Sequence, residues 1–354
     1  MGRLNESEFK VQIKSGEYSP AYFIYGSEGY LKQFYVDQLI KKLAAGPFED
    51  FNLHKYDGKK YDGKKTPLGD ILKDADLLPL MSEYNLVVAC DYPFDKSEAD
   101  CKAIKEYLKD VSPSTILVFW YNSVDVDIKK NSKWKGVEAA FSKAGSSVLL
   151  EPRTEGELAK LIVSGCKKRG AAISSENARY LISVSGSDIK TLLNETEKLS
   201  AYANGGEITK QLIDKLAVRC LQAKVFDLSK AVVRGDYEKA YSVLDSLFAA
   251  KEEPVSVLAV ISNCFVDMYR VKCAKTAGFD CTDVGNYYNY KGREFALRNA
   301  MRDCSSLSVN QLRDSLDVIM QADSALKSTG AAPRLVLEEA LVKLLLISKE
   351  VRYD

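Results

Sequence analysis

The chain contains a single histidine among 354 residues, and that scarcity excludes more chemistry than any motif supplies. A Ser-His-Asp or Cys-His arrangement would have to use His54. That residue lies in Phe51-Asn52-Leu53-His54-Lys55-Tyr56, an alternating run that reads as a strand and suits a structural histidine. The cysteines, at 90, 101, 166, 220, 264, 273, 281 and 304, make no C-x-x-C pair and complete no Cys/His zinc site with one histidine. Most sit in apolar patterns, as Cys90 does after Leu86-Val87-Val88-Ala89, which suits reduced, buried thiols. A surplus of either charge is also missing. Lys+Arg 50 against Asp+Glu 49 leaves +1, so no global field drives nucleic-acid binding and any DNA contact is local. No 18-residue apolar run is evident, and Met1-Gly2-Arg3-Leu4-Asn5-Glu6 has no apolar leader. The expectation is a cytoplasmic protein with no membrane contact.

What is present is a large apolar fraction, 46% hydrophobic, enough for a sizeable core. The length allows two or three domains of roughly 100–200 residues. The organising stretch is Ala21-Tyr22-Phe23-Ile24-Tyr25-Gly26-Ser27-Glu28-Gly29-Tyr30-Leu31-Lys32-Gln33. An aromatic run stops at a glycine and an amphipathic pattern follows, the strand, turn, helix order of a phosphate-binding loop. Laid on G-x-x-x-x-G-K-[ST], the first glycine is Gly26 and the lysine is Lys32. Gly29 lies between them, but Leu31 replaces the second glycine and Gln33 the hydroxyl that would bind Mg²⁺. A leucine blocks close backbone approach, an amide is a poor ligand for a hard cation, and Glu28 adds an anion to the loop. The stretch has the shape of an ATP site without its chemistry, and an ordinary strand-to-helix turn remains the alternative.

Residues 5–15 read as a leading helix ending at Gly16, and a second strand is expected near Phe51–Tyr56. A tandem duplication, Tyr56-Asp57-Gly58-Lys59-Lys60 and Tyr61-Asp62-Gly63-Lys64-Lys65, reads as an exposed loop or hairpin. A short helix then leads into Leu77-Leu78-Pro79-Leu80-Met81-Ser82, apolar residues outside any period. They either cap the core or stand out as a plug for a partner's pocket. Strands near 22, 51, 86, 116 and 147 alternating with helices give an α/β domain with a mainly parallel sheet, its centre the apolar run Thr115–Trp120. Asp91 follows one strand, with no acidic pair. From Glu151 the pattern is helical: Thr154–Arg169, opening on a capping box, then Ser175–Ser185, Ser187–Ala203 and a helix from Ile208-Thr209. Leu221-Gln222-Ala223 precedes further helices at Phe226–Arg234, Tyr237–Ala250, Pro254–Ala277, Lys291–Arg302, Ser308–Lys327 and Pro333–Val351. Leu258, Ile261, Phe265 and Met268 form a stripe that reads as intrachain core, with subunit packing as the alternative.

Taken together, the chain resembles the AAA+ clamp-loader family, and within it the delta-type subunits of bacterial DNA polymerase III. The resemblance is carried by Tyr22–Leu31 and by Leu77-Leu78-Pro79-Leu80-Met81-Ser82-Glu83 before an apolar strand. Further matches are Ser187-Asp188-Ile189 with Asn194–Leu199, Val225–Leu228 with Arg234–Ala240, Asp323–Ser328, and Leu337-Glu338. It implies an AAA+-like parallel-sheet domain at 1–140, a small helical lid domain at 141–212 and a helical collar domain for oligomerisation at 213–354. It further implies a subunit without intrinsic activity or cofactor in a nucleotidyltransferase complex. Such a subunit would insert Leu80 and Met81, backed by Leu77, Leu78 and Pro79, into a pocket of the sliding clamp (the beta subunit). Motor (gamma/tau) and delta-prime subunits would be its neighbours, and primed DNA would be touched weakly or indirectly. Two other readings stay open: an active AAA+ ATPase with an unorthodox loop, and a helical scaffold with a vestigial nucleotide fold, for which segment 77–82 would be buried and inert.

Overall fold

The computed structural model describes residues 2–44, 48–58, 68–290, 294–328 and 330–350. They form two compact units, one to Pro152 and one from Arg153. The first is built on strands β1 (Gly2–Leu4), β2 (Ala21–Tyr25), β3 (Leu53–Asp57), β4 (Asn85–Cys90), β5 (Thr115–Trp120) and β6 (Ser146–Leu149). Their order is β1-β6-β2-β5-β4-β3, and every pairing is parallel. Parallel neighbours need crossovers, which put helices on both faces of the sheet. The alternation along β2 shows the result. Phe23 and Tyr25 join a core with α4 (Leu68–Ala75), α5 (Glu98–Tyr107) and α6 (Ser132–Ala144), through Ile71, Ile104 and Phe141 among others. Tyr22, on the opposite face, meets Phe9 of α1 (Glu6–Ser15) with ring centroids 5.5 Å apart, and Phe9 in turn meets Tyr35 of α2 (Gly29–Leu43) at 5.1 Å. Both faces are therefore covered, which is why β2 and most of β4 and β5 are apolar without a break.

The second unit is helical. Helices α7 (Glu155–Lys168), α8 (Ser175–Ser185), α9 (Ile189–Ala203) and α10 (Lys210–Leu216) come first. Thr154 and Glu157 close the capping box expected for α7. Helices α11 (Leu221–Val233), α12 (Tyr237–Ala249), α13 (Pro254–Thr276), α14 (Glu294–Asp303), α15 (Val309–Ser328) and α16 (Pro333–Lys349) then share one apolar core. Leu258, Ile261, Phe265 and Met268 all belong to that core. Helix α13 is long and apolar enough to cross a membrane by length and composition, although polar residues interrupt its apolar run. Its apolar side is spent on neighbouring helices, so intrachain packing accounts for the composition.

The structure amends several boundaries. Phe51 and Asn52 belong to a one-turn helix, α3 (Glu49–Asn52), with strand β3 starting only at Leu53. There the Asn52 amide reaches back to the Phe48 carbonyl at 3.0 Å. Leu221-Gln222-Ala223 is the first turn of α11, capped by Cys220, rather than a connector. The first unit passes residue 140, because β6 at 146–149 pairs with both β2 and β1 and is part of the sheet. Of the duplicated segment, Tyr56 and Asp57 lie in β3, and 59–65 fall outside the described residues. Strand β1 is not among the strands expected from the sequence, whereas helix α6 fills the helical place expected between the strands near 116 and 147. With three residues, β1 is too short to show a period.

A half-buried ion pair ties β1 and α6 to β6. Arg3 donates to both carboxylate oxygens of Glu138 at 2.8 Å, and Ser147 donates to one of them at 2.7 Å. Burial raises the pKa of Glu138, but the hydrogen bonds from Arg3 and Ser147 outweigh it and hold the carboxyl below its usual range. A depressed carboxylate contributes stability above its unfolded pKa and loses it as pH falls through the folded value. Arg3→Ala should therefore cost about 1–2 kcal/mol at pH 7 in urea unfolding, less than a fully buried pair because the arginine is largely exposed. The gap to wild type should close as pH falls below the carboxylate range.

Candidate functional site

The residues singled out by sequence fall on opposite edges of the sheet. The turn after β2 lies at the carboxyl edge, while the segment between α4 and β4 lies at the amino edge, since β2, β5 and β4 run parallel.

At the carboxyl edge, Gly26 has φ 115°, and a Cβ there would lie 2.2 Å from the Leu150 carbonyl oxygen. Only glycine fits. Glu28 donates its N–H to the same carbonyl at 3.1 Å, and its carboxylate turns to the helix start, accepting from Tyr30 N–H at 3.1 Å. Gly29 opens α2, Leu31 is buried in the core, and Gln33 donates to Asp37 along the outer face of the helix at 2.8 Å. The Lys32 ammonium is folded inward and donates to the Gly26 carbonyl at 2.5 Å. Burial pulls the lysine's pKa down, more than Asp91 and Glu28 raise it. Asp91, at the end of β4, accepts from the backbone N–H groups of Asn122, Ser123 and Val124 at 2.7, 3.0 and 3.2 Å and from the Ser123 hydroxyl at 2.5 Å. Burial pushes this carboxyl up, but the four donors prevail and hold it below its usual range. The lysine and the carboxylate that a nucleotide and its metal would need are thus engaged by the chain itself. Among the described residues no group of His, Cys, Asp and Glu could hold a metal ion.

At the amino edge, the apolar segment is held by polar groups beneath it. Thr115 donates to the Ala75 carbonyl at 2.6 Å, fixing the end of α4. The Asn85 amide donates to the carbonyls of Asp74 and Leu77 at 2.7 and 3.0 Å. The Asp74 carboxylate accepts from the Tyr56 hydroxyl and lies 3.2 Å from Nδ1 of His54, so the lone histidine braces this corner. Beyond Pro79, the Asn52 carboxamide accepts from Leu80 N–H at 2.6 Å and donates to the Leu80 carbonyl at 2.8 Å. The side chains above are open to solvent: Leu78 and Met81 are each 83% exposed, Leu77 48% and Leu80 45%. The segment therefore does not cap the core. Leu78 stands out further than Leu80, which the sequence had ranked above it. Met81 has φ 51°, a left-handed conformation uncommon for a side chain of its size. The roles of Asn52 and Asn85 escaped sequence reading, since both bonds join residues far apart along the chain.

The self-engaged carboxyl edge yields a stability expectation. Asp91→Ala removes the acceptor for four donors and places alanine at φ 53°, so it should cost about 2–4 kcal/mol in urea unfolding. A change under 1 kcal/mol would mean that the loop 122–124 does not depend on this carboxylate.

The family described as DNA polymerase III, delta subunit matches residues 22–140, and its C-terminal domain matches residues 222–344. DNA polymerase III subunit delta of Bacillus subtilis (strain 168) is 25% identical over 341 residues, covering 94% of this chain and 95% of that protein. The probable DNA polymerase III subunit delta of Aquifex aeolicus (strain VF5) is 25% identical over 274 residues, covering 72% of this chain and 78% of its own. Among solved structures, the Bacillus subtilis DNA clamp loader delta protein superposes with a TM-score of 0.58 at 24% identity, over 96% of this chain and 99% of that one. The fold is the AAA+-like fold of clamp-loader delta proteins, with a helical C-terminal region. By the two matched stretches, one on the parallel-sheet unit and one on the helical unit, the chain belongs to the DNA polymerase III delta-subunit family.

Proposed function

We propose that this chain is the clamp-loader subunit that binds and opens the sliding clamp (the beta subunit) for loading onto primed DNA. The observation that carries the reading is the apolar tip at 77–81, exposed yet held from below by Asn52 and Asn85. Free apolar side chains on a loosely held loop would collapse onto the nearest surface. Polar bonds to the loop backbone keep Leu77, Leu78, Leu80 and Met81 facing outward, ready for an apolar pocket. Methionine suits that task, because its flexible thioether adapts to an irregular cavity. The scaffold alternative required this segment to be buried, and its exposure counts against it.

The rest of the assignment follows the same reading. The parallel-sheet part, 1–140 with β6 added, would carry the tip. Residues 141–212 would form the lid and 213–354 the collar, through which motor (gamma/tau) and delta-prime subunits associate in the cytoplasm. The chain would have no catalysis of its own and no bound cofactor. ATP-driven rearrangement would occur in the motor subunits, and clamp binding would strain one interface of the ring, with DNA touched weakly or indirectly.

Two measurements test this. Burial of Leu80 and Met81 is worth roughly 1.5–3 kcal/mol each, and central anchors dominate many interfaces. Leu80→Ala with Met81→Ala should weaken clamp binding about 10²- to 10⁴-fold in surface plasmon resonance, at ~1.4 kcal/mol per tenfold, with little change in melting temperature. A double variant that unfolds, or one that binds as wild type does, would remove the contact from the mechanism. The ATPase alternative is tested by calorimetry with Mg·ATP. No saturable heat is expected, because Lys32 and Asp91 are engaged internally; a saturable heat abolished by Lys32→Ala would restore the active site.

A further inference from the structure

The exposed tip poses a physical problem that the hydrogen bonds at its base resolve. Four apolar side chains stand in water, and Met81 holds a left-handed backbone that no glycine relieves. Such a conformation persists only where the surroundings over-determine it. The residue immediately before Met81 is Leu80, and both of its backbone polar groups are gripped by one side chain. The Asn52 carboxamide accepts from Leu80 N–H at 2.6 Å and donates to Leu80 C=O at 2.8 Å, while its other N–H anchors it to the Phe48 carbonyl at 3.0 Å. Asn52 is itself buried, at 2% exposure. Its amide pairs with the Leu80 backbone as a neighbouring strand's peptide would, but across a loop that has no neighbouring strand. An aspartate would present only acceptors to two carbonyls, and an alanine would present nothing.

We propose that Asn52 is a positioning residue that presets the tip, locking Leu80 and thereby the direction of Met81 before any partner arrives. The proposal rests on the clamp-binding reading for its consequence, though not for its geometry. Without the amide, Met81 is free to leave the left-handed region, and the tip samples forms in which its side chains point elsewhere. Affinity then falls by the fraction of molecules still in the competent form.

The test uses the full-length chain, with Asn52→Ala and Asn52→Asp. The free proteins are followed by hydrogen–deuterium exchange, and binding to the sliding clamp is measured by surface plasmon resonance. Asn52→Ala should speed exchange across 76–84 at least tenfold while the sheet strands β4 and β5 keep their protection. Clamp affinity should fall about tenfold. Asn52→Asp keeps the acceptor for Leu80 N–H but sets a carboxylate oxygen against the Leu80 and Phe48 carbonyls, so it should fall at least as far as the alanine variant in both measurements. In a chain that already carries Met81→Ala, adding Asn52→Ala should cost clearly less than tenfold, because the side chain being positioned is gone; a purely structural role would cost the same in both backgrounds. Unchanged exchange at 76–84 would overturn the proposal, and so would unchanged affinity with faster exchange. Loss of protection throughout the sheet in both variants would also overturn it, by making Asn52 a residue of the fold rather than of the tip. A wild-type chain that binds no clamp would defeat the clamp reading instead, leaving the exchange measurement to decide whether Asn52 holds the tip.

Discussion

A parallel sheet covered on both faces has only its two edges left for chemistry or contact, and the first unit of this protein is organised by that constraint. Its strands bury both faces, so their side chains are committed to packing. Connections emerge at the carboxyl edge, where the turn after β2 lies, and at the amino edge, where the 77–84 segment enters β4. The two edges have opposite characters here. One is closed by its own lysine and aspartate, and the other presents apolar side chains to solvent.

The closed edge retains the geometry of a phosphate-binding turn while its polar groups serve the fold. Gly26 is required by the approach of Leu150, and Lys32 answers the carbonyl of that same glycine. Asp91 gathers the loop 122–124 as a capping residue gathers a helix start. These bonds stabilise the turn from within the chain.

The open edge inverts the usual relation between polar and apolar groups. Asn52, Asn85 and Thr115 are buried, whereas Leu78 and Met81 are exposed. Buried amides are worth their desolvation only where their bonds are made, and these bond to the backbone of the loop itself. The cost of exposing apolar surface is therefore met by structure elsewhere in the same unit. In the helical unit the relation is the ordinary one, with the apolar stripe of α13 turned into a shared core.

The sequence by itself determined the classes of element and their order. Apolar runs at Tyr22–Tyr25, Leu86–Cys90 and Thr115–Trp120 declared buried parallel strands, and helical periods and caps located α7, α8, α12 and α13 closely. It also showed where the loop at 26–33 departs from a nucleotide-binding pattern, because Leu31 in place of a glycine and Gln33 in place of a hydroxyl can be read one residue at a time. It left open whether 77–82 was core or plug, since local composition is the same for both. Tertiary structure showed that the segment is not core, its side chains open to solvent and its backbone held by Asn52 and Asn85 from 28 and 8 residues away. It likewise decided what Lys32 and Asp91 do, and that β1 adds an edge strand beside β6. The division has one physical reason. Periodicity and propensity act between near neighbours and are written along the chain, whereas a single hydrogen bond between distant residues leaves no pattern to read until the fold brings its two ends together.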